Sequence, residues 1–282
     1  MNCLILGSSG MIGSGLLRYF PKFGINATGV ARNQLDVAFG DGFQRLSQQL
    51  HAIPGFLETD TVVNCIGIVK QLTHLHRDED IFYINSVFPG HLSEICHRLG
   101  KVFINLSTDC VFSGNAGNYC ELSIPDSKDL YGLSKSSGEN IKAKSIVVRT
   151  STIGIEADGC HGLLEWYLRS KERVLGFSGS IYSGVSLNEL ARSIAVVLKG
   201  GITSGLFQVS SDPITKCDLL TLFHIHGLGV KVTPHDSERI DRSLDDQKFR
   251  DLTGLTRRCW PEMVFDIMYE VERYGNHKKQ SS

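Results

Sequence analysis

The sequence predicts an α/β protein with a doubly wound parallel sheet and a smaller lobe interleaved with it in the C-terminal half. Three observations carry this expectation. Cys3-Leu4-Ile5-Leu6 is a short, wholly apolar run without polar alternation, as in strands covered on both faces. It leads directly into Gly7-Ser8-Ser9-Gly10-Met11-Ile12-Gly13, after which Ile12, Leu16, Leu17 and Phe20 recur at helical spacing up to Pro21. Apolar runs and helical stripes then alternate through residue 150, and the pattern becomes more mixed beyond it. That is the organisation of a Rossmann-type unit over 1–150, a second lobe over 151–275 with segments that return to the first, and a disordered tail over 276–282.

With 282 residues the chain can bury a full core. Charged residues make up 21% and the formal net charge is -1, so no global field directs it to nucleic acid or to an anionic membrane. The eight cysteines are scattered without a Cys-x-x-Cys pair, which reads as free thiols in a reducing cytoplasm. No stretch approaches the ~20 apolar residues of a membrane span. The N-terminus shows neither a basic segment nor an apolar run of signal length, so a soluble, cytoplasmic protein is expected.

In chain order, the glycine turn offers the first site. A strand, a Gly-x-x-Gly-x-x-Gly turn and a helix in succession let the backbone approach a pyrophosphate, while the helix N-terminus presents unpaired N–H groups to it. Gly7, Ser9, Gly10, Met11, Ile12 and Gly13 are therefore candidate cofactor contacts. A second strand is expected over 27–31. An acid at its end would take the ribose 2′-hydroxyl of NAD(H), but the chain continues Ala31-Arg32-Asn33. Arg32 suits the 2′-phosphate of NADP(H) instead, so NADP(H) is favoured and NAD(H) stays open.

Leu35-Asp36-Val37 reads as a third short strand, and 41–50 as a helix with Phe43, Leu46 and Leu50 on one side. The strand over 61–67 ends in a small turn that sets Asn64, Cys65, Ile66 and Gly67 against the nucleotide. Ile81, Ile84, Val87, Phe88, Leu92, Ile95 and Leu99 mark a core helix that stops at Gly100, a C′ glycine. Before it, His74-Leu75-His76-Arg77-Asp78-Glu79-Asp80 mixes imidazoles with carboxylates. It reads as a solvated loop with acids at the positive end of a helix dipole, not as a metal site. His224 and His226 stand two apart on an expected helix over 216–226 and do not face each other, so no metal is expected there either.

Val102-Phe103-Ile104-Asn105-Leu106 is a further buried strand, and Ser107-Thr108-Asp109 lies at its C-terminal end, where open α/β sheets bind ligands. Downstream, Tyr131-Gly132-Leu133-Ser134-Lys135 places a phenol and an ammonium four apart. On a helix they share a face, and a cation there favours the phenolate. Tyr-x-x-x-Lys alone also describes an ordinary surface helix. Together with the glycine turn and Leu106-Ser107-Thr108-Asp109-Cys110-Val111-Phe112-Ser113-Gly114, however, it resembles the extended short-chain dehydrogenases/reductases. The latter stretch, followed by Asp129-Leu130-Tyr131-Gly132-Leu133-Ser134-Lys135-Ser136-Ser137-Gly138-Glu139, is similar to the dTDP-4-dehydrorhamnose reductase branch of that family. Val148-Arg149-Thr150-Ser151, Asp241-Arg242-Ser243-Leu244-Asp245 and Trp260-Pro261 extend the resemblance over nearly the whole chain.

The remaining elements are a strand over 146–150, a short helix over 163–170 and a strand over 205–209. Ser186-Leu187-Asn188-Glu189 fits a capping box that opens a helix over 187–198, ending at Gly200-Gly201. A helix over 262–274 closes the fold.

The resemblance implies reduction of the ketone of a nucleotide-activated 4-keto-6-deoxysugar, as in deoxysugar and polysaccharide biosynthesis. Residues 1–150 would bind the dinucleotide and 151–275 the sugar nucleotide. Tyr131 would give its proton to the carbonyl oxygen, Lys135 would assist the phenol and hold the nicotinamide ribose, and Thr108 would polarise the carbonyl. Asp36, with Val37 beside it, would meet the adenine. Arg149 and Arg242 are candidates for the sugar diphosphate, because a guanidinium matches phosphate oxygens in pairs; an ion pair between lobes would use them equally well. Asn85 is either the helix asparagine of a proton path or a buried polar group bonded to backbone. Asp109 reads as structural, and Cys110, where the branch carries tyrosine, as a packing substitution. Two alternatives share the fold. An NAD-dependent epimerase or dehydratase is disfavoured by the missing acid after the second strand, and a non-catalytic regulatory subunit by the intact Tyr131 and Lys135. The expected partners are the nucleotide-linked keto-sugar and a second copy in a homodimer, with no nucleic acid and no membrane.

Overall fold

The computed structural model of the chain describes residues 1–38, 40, 42–141, 143–156, 162–236 and 238–275. The tail expected over 276–282 lies outside the described residues. β1 (Asn2–Leu6) feeds α1 (Met11–Tyr19), and β2 (Asn26–Val30) precedes α2 (Phe43–His51). After β3 (Thr61–Asn64) a 3-10 turn at Lys70–Leu75 leads into α3 (Asp78–Phe82), a π-helical turn at Tyr83–Val87 and α4 (Phe88–Arg98), the last three forming one continuous run. β4 (Val102–Thr108), α5 (Leu130–Ser137) and β5 (Ile146–Thr150) follow.

The second half begins with β6 (Thr152–Ile153), α6 (Leu163–Arg169), β7 (Val174–Phe177), β8 (Ser180–Tyr182), β9 (Val185–Ser186) and α7 (Leu187–Lys199). It continues with β10 (Gly205–Gln208), β11 (Ile214–Thr215), α8 (Lys216–Ile225), β12 (Val232–His235) and β13 (Ile240–Asp241). α9 (Gln247–Thr253) and α10 (Trp260–Tyr274) come last.

Six strands pair in the order β10-β5-β4-β3-β1-β2, every pair parallel. The chain steps from β1 to β2 in one direction and then works outward from β3 in the other. Ligands collect at such a switch point, beyond the carboxyl ends of the strands. β10 comes from the second half yet pairs with β5, Gln208 opposite Arg149. The two halves are thus interleaved, and the smaller sheets β11-β8-β13, β12-β7 and β6-β9 belong to the second.

Alternation along β1 explains why its sequence is wholly apolar. Cys3 and Ile5 enter one core with Leu16, Leu187, Leu190 and Ile194, whereas Leu4 and Leu6 enter another with Leu46, Val62, Phe88 and Leu92. Helices therefore cover both faces, and each fully buried aliphatic side chain stabilises the fold by roughly 1.5–3 kcal/mol. Gly100, with φ 67°, follows α4 as a C′ glycine should.

Three expectations need correction. Leu35-Asp36-Val37 is not a strand: the Leu35 N–H bonds back to the Ala31 carbonyl at 3.1 Å, closing a turn after β2, which is the edge of the described sheet. Leu35 and Val37 are buried and Asp36 is exposed, so a loop laid on the core reproduces the alternation of a strand. β3 ends at Asn64, three residues before the expected end, because Asn64 Oδ1 accepts the Ile66 N–H at 3.1 Å and turns the chain. Ser186 caps α7 by accepting from the Glu189 N–H at 3.2 Å, but the Glu189 carboxylate pairs with Arg192 at 2.7 and 2.8 Å, so the box is half formed. A complete box opens α10 instead, between Cys259 and Glu262.

Among the described residues no helix is long and apolar enough to cross a membrane, and no three His, Cys, Asp or Glu side chains gather as a metal site.

Candidate active site

A groove runs along the switch point between β1 and β3. Gly7 leaves β1 with φ 78°, a left-handed conformation that suits glycine. A β-carbon on Gly13 would stand 2.3 Å from the Gly7 oxygen, so the first turn of α1 sits directly on the loop. Gly10 is the N-cap of α1 and offers no side chain to its N–H groups, which stay open to an anion. This uncapped helix start beside a glycine cradle fits a pyrophosphate.

Gly7, Ser9 and Gly10 line the groove, with Met11, Ile12 and Gly13 forming the helical turn behind them. Arg32, Asp36 and Val37 make one wall, and Cys65, Ile66 and Gly67 the other. Arg32 Nε donates to Asp36 Oδ1 at 3.2 Å, both side chains being largely exposed at the rim. The acid that the sequence lacks at the end of β2 is therefore present in space. Asn64 departs from expectation: it is buried, and its Nδ2 donates to Asn105 Oδ1 at 2.9 Å, so it shapes the loop and does not face the groove. His76, read as part of a solvated loop, and Ile84, read as core, also line the groove, as do Ile68 and Leu72, which were not singled out in the sequence. Their signal is weak, since apolar loop residues look alike wherever they point.

The opposite end of the groove meets α5. Asp129 is its N-cap: Oδ1 accepts from the Gly132 N–H at 2.9 Å and Oδ2 from Lys70 Nζ at 2.8 Å, which ties the 3-10 turn before α3 to this helix. Neither Asp129 as a cap nor Lys70 was singled out in the sequence; an aspartate just before a helical stretch is the signal that could have found the first. Gly132 is required by proximity, since a β-carbon there would stand 2.2 Å from Ser127 Oγ and 2.4 Å from the Cys110 oxygen. The helix thus presents Tyr131 and Lys135 one turn apart against the end of β4.

Lys135 is buried and donates to the Leu106 carbonyl at 2.6 Å. Burial brings its ammonium down to about 8, against the pull of Glu139 and Cys65 in the other direction. Tyr131 is half-buried, and desolvation followed by the Cys110 thiol pushes its phenol up; a hydrogen bond with the Thr108 side chain acts the other way. Lys135 spends its bond on backbone, and the groups that weigh most on Tyr131 keep it protonated.

Thr108 Oγ1 donates to Asp109 Oδ1 at 3.1 Å and accepts from the Cys110 N–H at 3.1 Å. Its single hydrogen is directed at Asp109 in this arrangement and must turn from it to reach a carbonyl. Burial raises the Asp109 carboxyl, opposed by Thr108 and Arg242, and pushes the Cys110 thiol up to about 12, which makes it an unreactive packing residue.

The two arginines separate. Arg242 Nε donates to the Phe112 carbonyl at 2.9 Å, and its charge bears on Asp109, Cys110 and Asp129, so it borders the site. Arg149 is held by Glu139 through bonds of 2.9 and 2.7 Å, with Ser107 Oγ donating to the same carboxylate at 2.5 Å. It is a buried ion pair within the first lobe, neither an open phosphate ligand nor the expected pair between lobes. Asn85 is likewise committed: Oδ1 accepts from the Ile68 N–H, while Nδ2 donates to the Ile68 carbonyl and Ser134 Oγ.

A family model described as the RmlD substrate binding domain matches residues 1–159. A dTDP-4-dehydrorhamnose reductase of Streptomyces griseus is 31% identical over 137 residues, 48% of this chain and 43% of that protein, so the match spans less than half of the relative's length. The spore coat polysaccharide biosynthesis protein SpsK of Bacillus subtilis (strain 168) is 26% identical over 220 residues, 75% of this chain and 74% of that protein. Among solved structures, a dTDP-4-dehydrorhamnose reductase of Bacillus anthracis str. Ames in complex with NADP is similar with a TM-score of 0.80. The likeness covers 95% of this chain and 99% of that one at 18% identity, and speaks to fold alone.

Proposed function

The chain belongs to the family of the RmlD substrate binding domain, and on that premise we propose that it is an NADPH-dependent reductase of a nucleotide-linked 4-keto-6-deoxysugar. The observation that carries this reading is the meeting of Thr108, Tyr131 and Lys135 at the carboxyl end of the sheet, beside a glycine-lined groove with an open helix N-terminus. Similarity to named reductase and polysaccharide proteins supports the substrate class.

Gly7, Ser9 and Gly10 would hold the pyrophosphate, Arg32 the 2′-phosphate and Lys135 the nicotinamide ribose. NAD(H) is the second choice, because Asp36 offers a 2′-hydroxyl an acceptor beside Arg32. The bound dinucleotide supplies the hydride. Tyr131 enters as an acid, since burial and the neighbouring Cys110, Asp109 and Asp129 disfavour its phenolate. A sugar alkoxide is a stronger base than a phenolate, so transfer of the Tyr131 proton to the reduced oxygen runs downhill. Thr108 stands beside the phenol, where its side chain favours the phenolate left after transfer. Lys135 remains mostly cationic at neutral pH and offsets the charge left on the phenolate. Arg242 is the guanidinium we assign to the sugar diphosphate, Arg149 being pinned by Glu139.

The test is NADPH consumption by the purified protein with dTDP- and UDP-linked 4-keto-6-deoxyglucose. Oxidation with formation of the matching deoxyhexose is expected. NADPH binding without oxidation with either sugar would move the chain to a binding role.

A further inference from the structure

The wall of the cofactor groove is tied twice to the helix that carries Tyr131, and the two ties differ in kind. Cys65, Ile66, Gly67, Ile68 and Leu72 line the groove. A β-carbon on Gly67 would stand 4.0 Å from Lys135 Nζ, so this wall passes directly beside α5. The inner tie is buried. Asn85 Oδ1 accepts from the Ile68 N–H at 2.9 Å, and its Nδ2 donates to Ser134 Oγ at 3.0 Å. Ser134 Oγ in turn donates to the Tyr131 carbonyl at 2.9 Å.

The outer tie is half-exposed and ionic. After Ile68 the chain enters the 3-10 turn at Lys70–Leu75. The Leu72 N–H bonds to the Val69 carbonyl at 2.9 Å, and Thr73 Oγ1 donates to the Lys70 carbonyl at 2.9 Å. This turn places Leu72 in the groove and Lys70 on α5, where Nζ donates to Asp129 Oδ2 at 2.8 Å. The other oxygen of the same carboxylate caps the helix through the Gly132 N–H at 2.9 Å. The Lys70 and Asp129 side chains are 47% and 35% exposed, so water competes for both. Tyr131 thus sits between two holds, Asp129 before it and Ser134 after it, and the first depends on a charge from the groove wall.

We infer that Lys70 is a positioning residue of the reductase. By holding Asp129 it fixes the first turn of α5, and with it the Tyr131 hydroxyl, relative to a dinucleotide lying along Gly67 and Leu72. The inference deepens the reductase reading and rests on it. Lys70 acts through Asp129 and touches neither hydride donor nor sugar. Its leverage comes from the chemistry it serves, since a shift of about 1 Å between reacting groups can cost on the order of 10²-fold in rate. Losing a half-exposed pair frees the helix start for part of the time, so the cost is a fraction of that. The tie also works in reverse: a dinucleotide that settles the wall must settle the start of α5.

Two variants separate the ion pair from the cap. Lys70→Met removes the charge and keeps much of the side-chain length. Asp129→Asn also removes a charge but keeps the cap, because asparagine caps a helix as well as aspartate does. With NADPH and the keto-sugar, each is expected to lower kcat about two- to fivefold, while KM and the NADPH Kd stay within about twofold. The double variant should fall no further than either single one, and Lys70→Arg should restore most of the wild-type rate. Losses that add in the double variant, or a wild-type kcat in both single ones, would overturn the inference. A second measurement needs no turnover. In hydrogen exchange read by mass spectrometry, NADPH should slow the segment carrying Tyr131, Gly132 and Leu133 about two- to fivefold in the wild type and less than about half as much in Lys70→Met. Undiminished protection in that variant overturns the role of Lys70. If NADPH binds and no keto-sugar is reduced, the reductase reading fails by itself and the exchange comparison still decides on the tie; a protein that binds no dinucleotide overturns both.

Discussion

A β-carbon on Gly138 would stand 2.0 Å from the main-chain oxygen of Asn85, so α5 and the π-helical turn meet backbone to backbone. Ser86 Oγ reinforces the contact by donating to the Ser134 carbonyl at 2.6 Å. The extra residue of the π turn brings Asn85 inward, and the resulting contact sets the height of Tyr131 and Lys135 over β4. Gly138→Ala must push the two apart. It should destabilise the protein by about 1–3 kcal/mol in urea unfolding and lower kcat more than it weakens NADPH binding.

Glu139 and Arg149 form a buried pair with side chains 8% and 3% exposed. Removing one partner leaves the other charge without compensation, so Glu139→Ala should cost about 3–5 kcal/mol in urea unfolding. The double replacement Glu139→Leu with Arg149→Met should recover most of that loss. A single variant as stable as the wild type would contradict the pairing.

These contacts also mark what could be read in the sequence. The main strands, the glycine turn and the helix that carries Tyr131 and Lys135 were legible, because an apolar run, an uncapped helix start and a Tyr-x-x-x-Lys step are local patterns with local causes, whereas Thr108 was picked out by the resemblance. The failures lie where a local pattern has two causes. Leu35 and Val37 alternate with Asp36 as a strand would, yet the alternation comes from a loop resting on the core. Asn64 follows a buried strand toward the cofactor, but its amide finds Asn105 across the sheet. Partners distant in sequence, such as Lys70 with Asp129, leave no periodic trace.

Burial of the Lys135 ammonium has a pH signature. A lysine brought down to about 8 in the folded state costs stability while it is protonated in both states. That cost is full below pH 8 and disappears as pH rises toward the unfolded value near ~10.4. Lys135→Met should therefore stabilise the ligand-free protein at pH 7 by about 1–3 kcal/mol, with the gain shrinking toward pH 10. Urea unfolding at several pH values reads this directly, and a variant less stable at pH 7 would contradict it.

Arg32 should discriminate between the two dinucleotides. Losing a charge-assisted bond to a 2′-phosphate weakens binding about tenfold or more, so Arg32→Ala should raise the Kd of NADPH and leave that of NADH nearly unchanged. Calorimetric titration with each dinucleotide checks it. Equal losses for both would assign Arg32 to the rest of the nucleotide.

The most direct test of the whole account is single-turnover oxidation of bound NADPH on addition of the nucleotide-linked 4-keto-6-deoxysugar, in the wild type and in Tyr131→Phe. The account predicts oxidation in the wild type and a loss of about 10²-fold or more in the variant, with NADPH binding retained. A variant that oxidises NADPH at the wild-type rate would contradict Tyr131 as the proton donor on which the mechanism depends.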